Sequence, residues 1–187
     1  MKKKMILFVT MGLIFAATAF GYYHINEKYP RAIMKEAALG ENLEYQAGVL
    51  ISVDEAEFLT EAETKKILDT LDINPIADNR IFNVTVTLTN TTMETKELDM
   101  TDLFLTTNGI ANGIDRQVLE YDNDSYGRLK ETLSPGEIKK VTYPYEMLSL
   151  WFTKKDWKQI NEREFWLSFS EYPVKTILKL DNTRRFL

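Results

Sequence analysis

The side chains able to do chemistry in this chain are few in kind. His24 is the only histidine and there is no cysteine. A Ser-His or Cys-His relay cannot be assembled in the body of the chain, and neither can a thiolate or histidine-based metal site. The eight glycines form no Gly-x-Gly-x-x-Gly, no phosphate loop closing on Gly-Lys-Ser/Thr, and no Gly-x-Ser-x-Gly. What remains is 28 carboxylates, the hydroxyls and the aromatic rings. Two carboxylates suffice for glycoside hydrolysis, but spacing alone singles out no pair. The expectation is a protein that is not an enzyme and carries no cofactor, with an envelope glycoside hydrolase as the alternative.

Two local patterns are candidate sites. Asp122-Asn123-Asp124-Ser125-Tyr126-Gly127 places acids at the first and third positions of a calcium loop and glycine at the sixth. Tyr126 at the fifth position and Leu133 at the twelfth break that pattern, so Asp122 and Asp124 are weak candidate ligands and the segment reads first as a turn. The second pattern is aromatic. Trp166 lies opposite Phe165, Leu167 and Phe169 in an alternating run, which would aim it at a protein partner or a sugar ring unless a neighbouring element covers it. Tyr143 and Tyr145 are candidate contacts of the same kind. Trp151 and Trp157 read as core.

Strands and turns must position these residues. Val49, Ile51 and Val53 alternate in a first strand. From Ile81 to Asn90, Phe82, Val84, Val86 and Leu88 alternate strictly with Asn83, Thr85, Thr87 and Thr89, the signature of a strand with one face in a core. Leu103-Phe104-Leu105 and Val118-Leu119-Glu120-Tyr121 read as further strands. Ser134-Pro135-Gly136-Glu137 is a turn leading into the strand of Val141, Tyr143 and Tyr145. Phe165–Phe169 and Val174–Leu180 close the series.

Two short helices interrupt the strands. Thr60 and Glu63 form a capping box ahead of a stripe of Ala62, Ile67, Leu68 and Leu71. Thr153 and Asp156 form a second one, with Phe152 and Trp157 at the staple positions. About seven short strands with regular turn signals predict an antiparallel, immunoglobulin-like β-sandwich.

The beginning of the chain sets the address. Three lysines, Lys2 to Lys4, precede a run from Met5 to Tyr23 without a charged side chain, close to the ~20 residues a helix needs to cross a bilayer. The lysines keep that end in the cytoplasm and send the rest across, with Tyr22, Tyr23 and His24 at the interface. Two readings fit: an uncleaved single-pass anchor over residues 1–23, or a signal peptide cut near Ala19 that frees a secreted protein. A polar connector over 24–44, a sandwich over 45–182 and a tail over 183–187 would follow. Without the first three lysines, 20 basic residues face 28 acidic ones. A charge of this sign excludes nucleic acid as a partner, because its phosphates need Lys and Arg.

Several stretches carry a resemblance. They are Tyr23-His24-Ile25-Asn26-Glu27-Lys28-Tyr29-Pro30, Phe82-Asn83-Val84-Thr85-Val86-Thr87-Leu88-Thr89-Asn90, Leu133-Ser134-Pro135-Gly136-Glu137, Tyr143-Pro144-Tyr145, Trp157 and Ser170-Glu171-Tyr172-Pro173. The chain resembles a group of small uncharacterised membrane-anchored proteins of Gram-positive bacteria with an immunoglobulin-like extracytoplasmic domain. The resemblance implies an anchored module outside the membrane and brings no catalytic residue. Its expected work is non-enzymatic, serving a protein partner in the membrane or envelope, with a carbohydrate-binding module as a further alternative.

Overall fold

A computed structural model describes residues 2–122 and 125–180. The chain divides into one unit running to Ile33 and a second beginning at Met34. The first unit is dominated by a single helix, α1 (Lys2–Lys28). Its stretch Phe8–Lys28 is long and apolar enough to cross a membrane, and none of that stretch is buried. Its polar side chains turn back on the helix. The Thr10 and Thr18 hydroxyls donate to the carbonyls of Ile6 and Ile14, and the Asn26 amide donates to that of Tyr22. Such i−4 bonds leave few polar groups wanting water, which suits a helix in lipid.

The second unit is a β-sandwich with eleven strands among the described residues. They are β1 (Ile33–Ala37), β2 (Leu43–Gln46), β3 (Val49–Phe58), β4 (Asn79–Asn90), β5 (Lys96–Asp99), β6 (Phe104–Thr107), β7 (Ile110–Asn112), β8 (Lys130–Leu133), β9 (Ile138–Leu148), β10 (Phe165–Ser168) and β11 (Val174–Leu180). One sheet runs β1-β11-β10-β6-β7 and the other β2-β3-β4-β9, with β5-β8 as a separate ribbon. The orders β3-β4-β9 and β11-β10-β6-β7 reproduce A-B-E and G-F-C-C′ of an immunoglobulin-type sandwich. The expected class therefore holds, with more strands than the seven expected. The additional ones are mostly three to five residues long, too short for alternation to mark them.

The core lies between the sheets. Phe82, Val84, Val86 and Leu88 are all fully buried, as their alternation demands. Phe82 and Phe165 meet across the sheets at 5.0 Å between ring centroids, and Phe58 lies 5.6 Å from Phe165. In β3 the inward positions change parity, from Val49, Ile51 and Val53 to Ala56 and Phe58. A bulge between Val53 and Glu55 causes the change, because one extra residue against β4 turns the following side chains over.

Two helices cap this frame as the sequence predicts. In α2 (Glu61–Thr70), the Glu63 N–H donates to the Thr60 hydroxyl at 3.2 Å and the Thr60 N–H donates back to the Glu63 carboxylate at 2.8 Å. Its inward face is Thr64, Ile67 and Leu68, whereas Ala62 is exposed. In α4 (Lys154–Lys158), the Asp156 N–H donates to the Thr153 hydroxyl, and the rings of Phe152 and Trp157 pack with centroids 5.7 Å apart, tilted by 36°.

Three expectations are corrected. Residues 118–121 belong to a helix, α3 (Arg116–Tyr121), because the Asp115 carboxylate accepts from the N–H groups of Gln117 and Val118 and starts a turn that β-favouring side chains conceal. The connector of 24–44 is instead the end of α1 followed by β1 and the start of β2. Trp151 is 39% exposed rather than core, since it sits in a 3₁₀ turn after β9. The tail of 183–187 lies outside the described residues.

Candidate interaction surface

The candidate site residues separate on inspection. Tyr143 and Tyr145 have no exposed surface. The odd-numbered positions of β9 from Val141 to Met147 face the core, and both hydroxyls are used there: Tyr145 donates to the Leu103 carbonyl at 3.4 Å and Tyr143 to that of Arg128 at 3.3 Å. Burial pushes both phenols far above their ordinary range, with the Glu131 carboxylate adding to the effect on Tyr143. Neither is a partner contact.

Trp166 points to the outer face of its sheet but is partly buried, and its indole N–H is buried without an acceptor. It offers an edge of ring and no hydrogen bond. Asp122 accepts from the N–H and hydroxyl of Ser125, at 3.2 and 2.6 Å, so its carboxylate is engaged by the chain three residues on. Asp124 lies outside the described residues. Among the described residues no three His, Cys, Asp or Glu side chains converge on a metal position.

A surface that spacing did not reveal gathers around the β6–β7 hairpin. Gly109 turns it at φ 84°, a conformation that glycine adopts without strain. Among the described residues β7 ends its sheet, so one side of its backbone has no described strand beside it. Both flanks of the hairpin are tied down. Arg163 donates to the Asn108 carbonyl at 3.0 Å and stacks over Phe152 at 5.4 Å, while the Asn112 amide donates to the Glu146 carbonyl at 2.7 Å.

Beside this held edge lies a depression of about 480 Å³ lined by Gly109, Ile110, Ala111, Asn112 and Trp151. A second, about 310 Å³ and mostly apolar, is lined by Phe104, Ala111, Ser168 and Phe169, with Asp102 and Glu171 on its rim. Ala111 lines both. Phe104 and Trp151 are each 39% exposed, and Leu150 is 63% exposed. An open strand edge between two depressions, one of them mostly apolar, can add an extended segment of a partner through main-chain hydrogen bonds, with side chains seated on either side.

Close by, Glu146 is half-buried. Burial, and then the Asp115 carboxylate, push its carboxyl above the ordinary 4.5, while a hydrogen bond from the Asn79 amide opposes them.

The family described as a domain of unknown function (DUF5028) matches residues 22–176. The chain belongs to that family. The match takes in the sandwich from β1 to the first residues of β11 and the end of α1. No curated protein matches the DUF5028 chain. Among solved structures it is similar to an uncharacterised β-sandwich protein from Clostridium difficile, at 14% identity over 81% of this chain and 97% of that one, with a TM-score of 0.44. It is similar to the secreted protein MPT63 from Mycobacterium tuberculosis at 10% identity, covering 80% and 98% of the two chains with a TM-score of 0.47. For the yjhA protein from Bacillus subtilis the identity is 15%, the coverages are 77% and 98%, and the TM-score is 0.42.

Proposed function

We propose that this DUF5028 protein is a non-enzymatic accessory module of the cell envelope, held in the membrane by α1 with its sandwich outside, and that it engages a membrane or envelope protein through the β7 edge. The observation that carries the reading is the edge itself. Among the described residues it is unpaired, and it is clamped by Arg163 and Asn112 and bordered by exposed Phe104 and Trp151. Proteins blunt or cover such edges when they are not used. The address is supported by Lys2 to Lys4 at the start of a helix in which Thr10 and Thr18 bond to its own backbone.

The test is site-specific photocrosslinking in intact cells. A photoreactive residue at Ala111 or Trp151 should label one membrane or envelope protein in near-equal amount. The same residue at Met93, which is 90% exposed elsewhere on the sandwich, should not. Equal labelling from all three positions, or turnover of cell-wall fragments by the purified protein, would overturn the proposal.

A further inference from the structure

We propose that residues 150–158 dock the sandwich on a bilayer surface that carries anionic lipid headgroups. The segment leaves β9 through a 3₁₀ turn, Ser149–Trp151, and continues into α4. It is held from behind. The Ser149 N–H donates to the Asp78 carbonyl at 2.8 Å, the rings of Phe152 and Trp157 pack on each other and against the core, and Arg80 lies over Trp157 at 5.4 Å. Two kinds of side chain are left outside. Leu150 is 63% exposed, next to Trp151. Lys154, Lys155 and Lys158 are all exposed, and none of them forms an ion pair among the described residues.

The three lysines share a side of α4. At about 100° per residue, Lys154, Lys158 and Lys155 fall in that order within an arc of about 100°, with Asp156 on the opposite side. Asp156 is matched by Arg163 at 3.8 Å. The chain as a whole is acidic, at −5. Charges beyond about 8–10 Å are screened at physiological salt, so an approaching surface meets the lysines and not the total. From Leu150 to Lys154 the chain spans at most about 14 Å, and lysine stems are long and flexible, so both kinds of group reach one patch of headgroups. An apolar side chain enters the headgroup boundary while the ammonium groups meet lipid phosphates. Lysine is depleted at protein–protein interfaces, which favours lipid over a protein at this surface. The docking rests on the membrane address proposed above but not on the β7 edge, with which it shares only Trp151.

The chain has no cysteine, so Leu150→Cys can carry a single environment-sensitive NBD fluorophore in the full chain, reconstituted in phosphatidylcholine vesicles with or without phosphatidylglycerol. With phosphatidylglycerol the label should shift to the blue and be quenched by nitroxide lipid. Both signals should fall by at least about half in about 1 M salt, where the screening length shrinks to about 3 Å. They should fall as far when Lys154→Gln, Lys155→Gln and Lys158→Gln are combined, at exposed positions where folding is not at stake. A label at Met93→Cys, where the native side chain is 90% exposed, should not respond. Flotation with neutral vesicles reads α1 alone, which separates loss of the anchor from loss of this contact. An equal signal in the two kinds of vesicle, an equal response at position 93, an unchanged triple variant, or a response to soluble polyphosphate as large as that to the lipid would each overturn the proposal. Crosslinking of an acidic protein from position 150, with no response to anionic lipid, would overturn it in favour of a protein partner.

Discussion

Removing the buried carboxylate of Glu131 should unfold the sandwich more readily than any surface change. Glu131 is 2% exposed on β8. Its oxygens accept from the Arg128 N–H and from the Lys139 ammonium, each at 2.6 Å, and the Tyr143 hydroxyl lies 3.5 Å away. The two ends of the ion pair are unequal: the side chain of Lys139 is 36% exposed and that of Glu131 1%. When the carboxylate is removed, Lys139 turns to water at little cost. The Arg128 N–H is left behind, and a hydrogen bond from a backbone N–H to a charged acceptor contributes about 1.5–3 kcal/mol. The vacated side-chain volume adds to this. Breaking a buried pair costs about 3–5 kcal/mol, and the exposure of Lys139 puts Glu131→Ala near the lower end, about 3 kcal/mol. Glu131→Gln keeps the shape and an acceptor for Arg128, so about 1–2 kcal/mol is expected for the loss of charge assistance. All three tryptophans, Trp151, Trp157 and Trp166, lie in the sandwich, so their fluorescence during urea titration of the full chain in mild detergent reads this unit. A loss below about 1 kcal/mol for the alanine variant, or a glutamine variant as unstable as alanine, would refute the assignment of Glu131 as the anchor of β8.

Two further changes test the neighbouring packing and electrostatics. Gly127→Ala would put a Cβ 2.9 Å from Tyr143 Cε1 and 3.1 Å from Glu131 Oε1, so it should cost about 1–3 kcal/mol by overpacking, read as a lower urea midpoint. For Glu146, a folded carboxyl raised above 4.5 means that the folded state holds the proton more tightly than the unfolded chain. That contribution is fully present below the unfolded value and is lost as pH rises through the folded one. Glu146→Gln, which still accepts from Asn79, should therefore match or exceed the wild-type Tm near neutral pH and lose that advantage when both are melted in acid. An advantage that grows on acidification would contradict the burial of this carboxyl.

How much of this was legible in the sequence depended on how local the physics is. The strand from Ile81 to Asn90 was readable because the nine residues from Phe82 to Asn90 alternate without a break, and burial of Phe82, Val84, Val86 and Leu88 follows from it. The caps of α2 and α4 were readable because each is a bond between residues three apart. α3 was misread because Val118 and Tyr121 favour strands and the helix has only six residues. The signal that could have found it was Asp115, an N-cap residue two and three positions before the N–H groups it holds. Tyr143 and Tyr145 show the converse. Their alternation was right, but a tyrosine on an inward face with an acceptor across the core is packing, and the carbonyl of Leu103 that receives Tyr145 is 42 residues away.

The candidate surface was invisible for a deeper reason. Whether a strand is an edge is a property of sheet order, and β7 became one only when β6 paired with β10 on its other side. Trp151 gained its exposure from a 3₁₀ turn whose neighbours are set by the β6–β7 hairpin. Two buried side-chain oxygens fifteen positions apart, Thr64 Oγ1 and Asn79 Oδ1, have no hydrogen-bond partner among the described residues, although the Asn79 amide nitrogen donates to Glu146. A sequence advertises the polar groups that satisfy each other locally, because caps and turns have fixed spacing. Polar groups left unsatisfied in a core have no spacing to read. They become visible only in the folded chain, where their cost of about 1–3 kcal/mol each makes them places to look for function rather than stability.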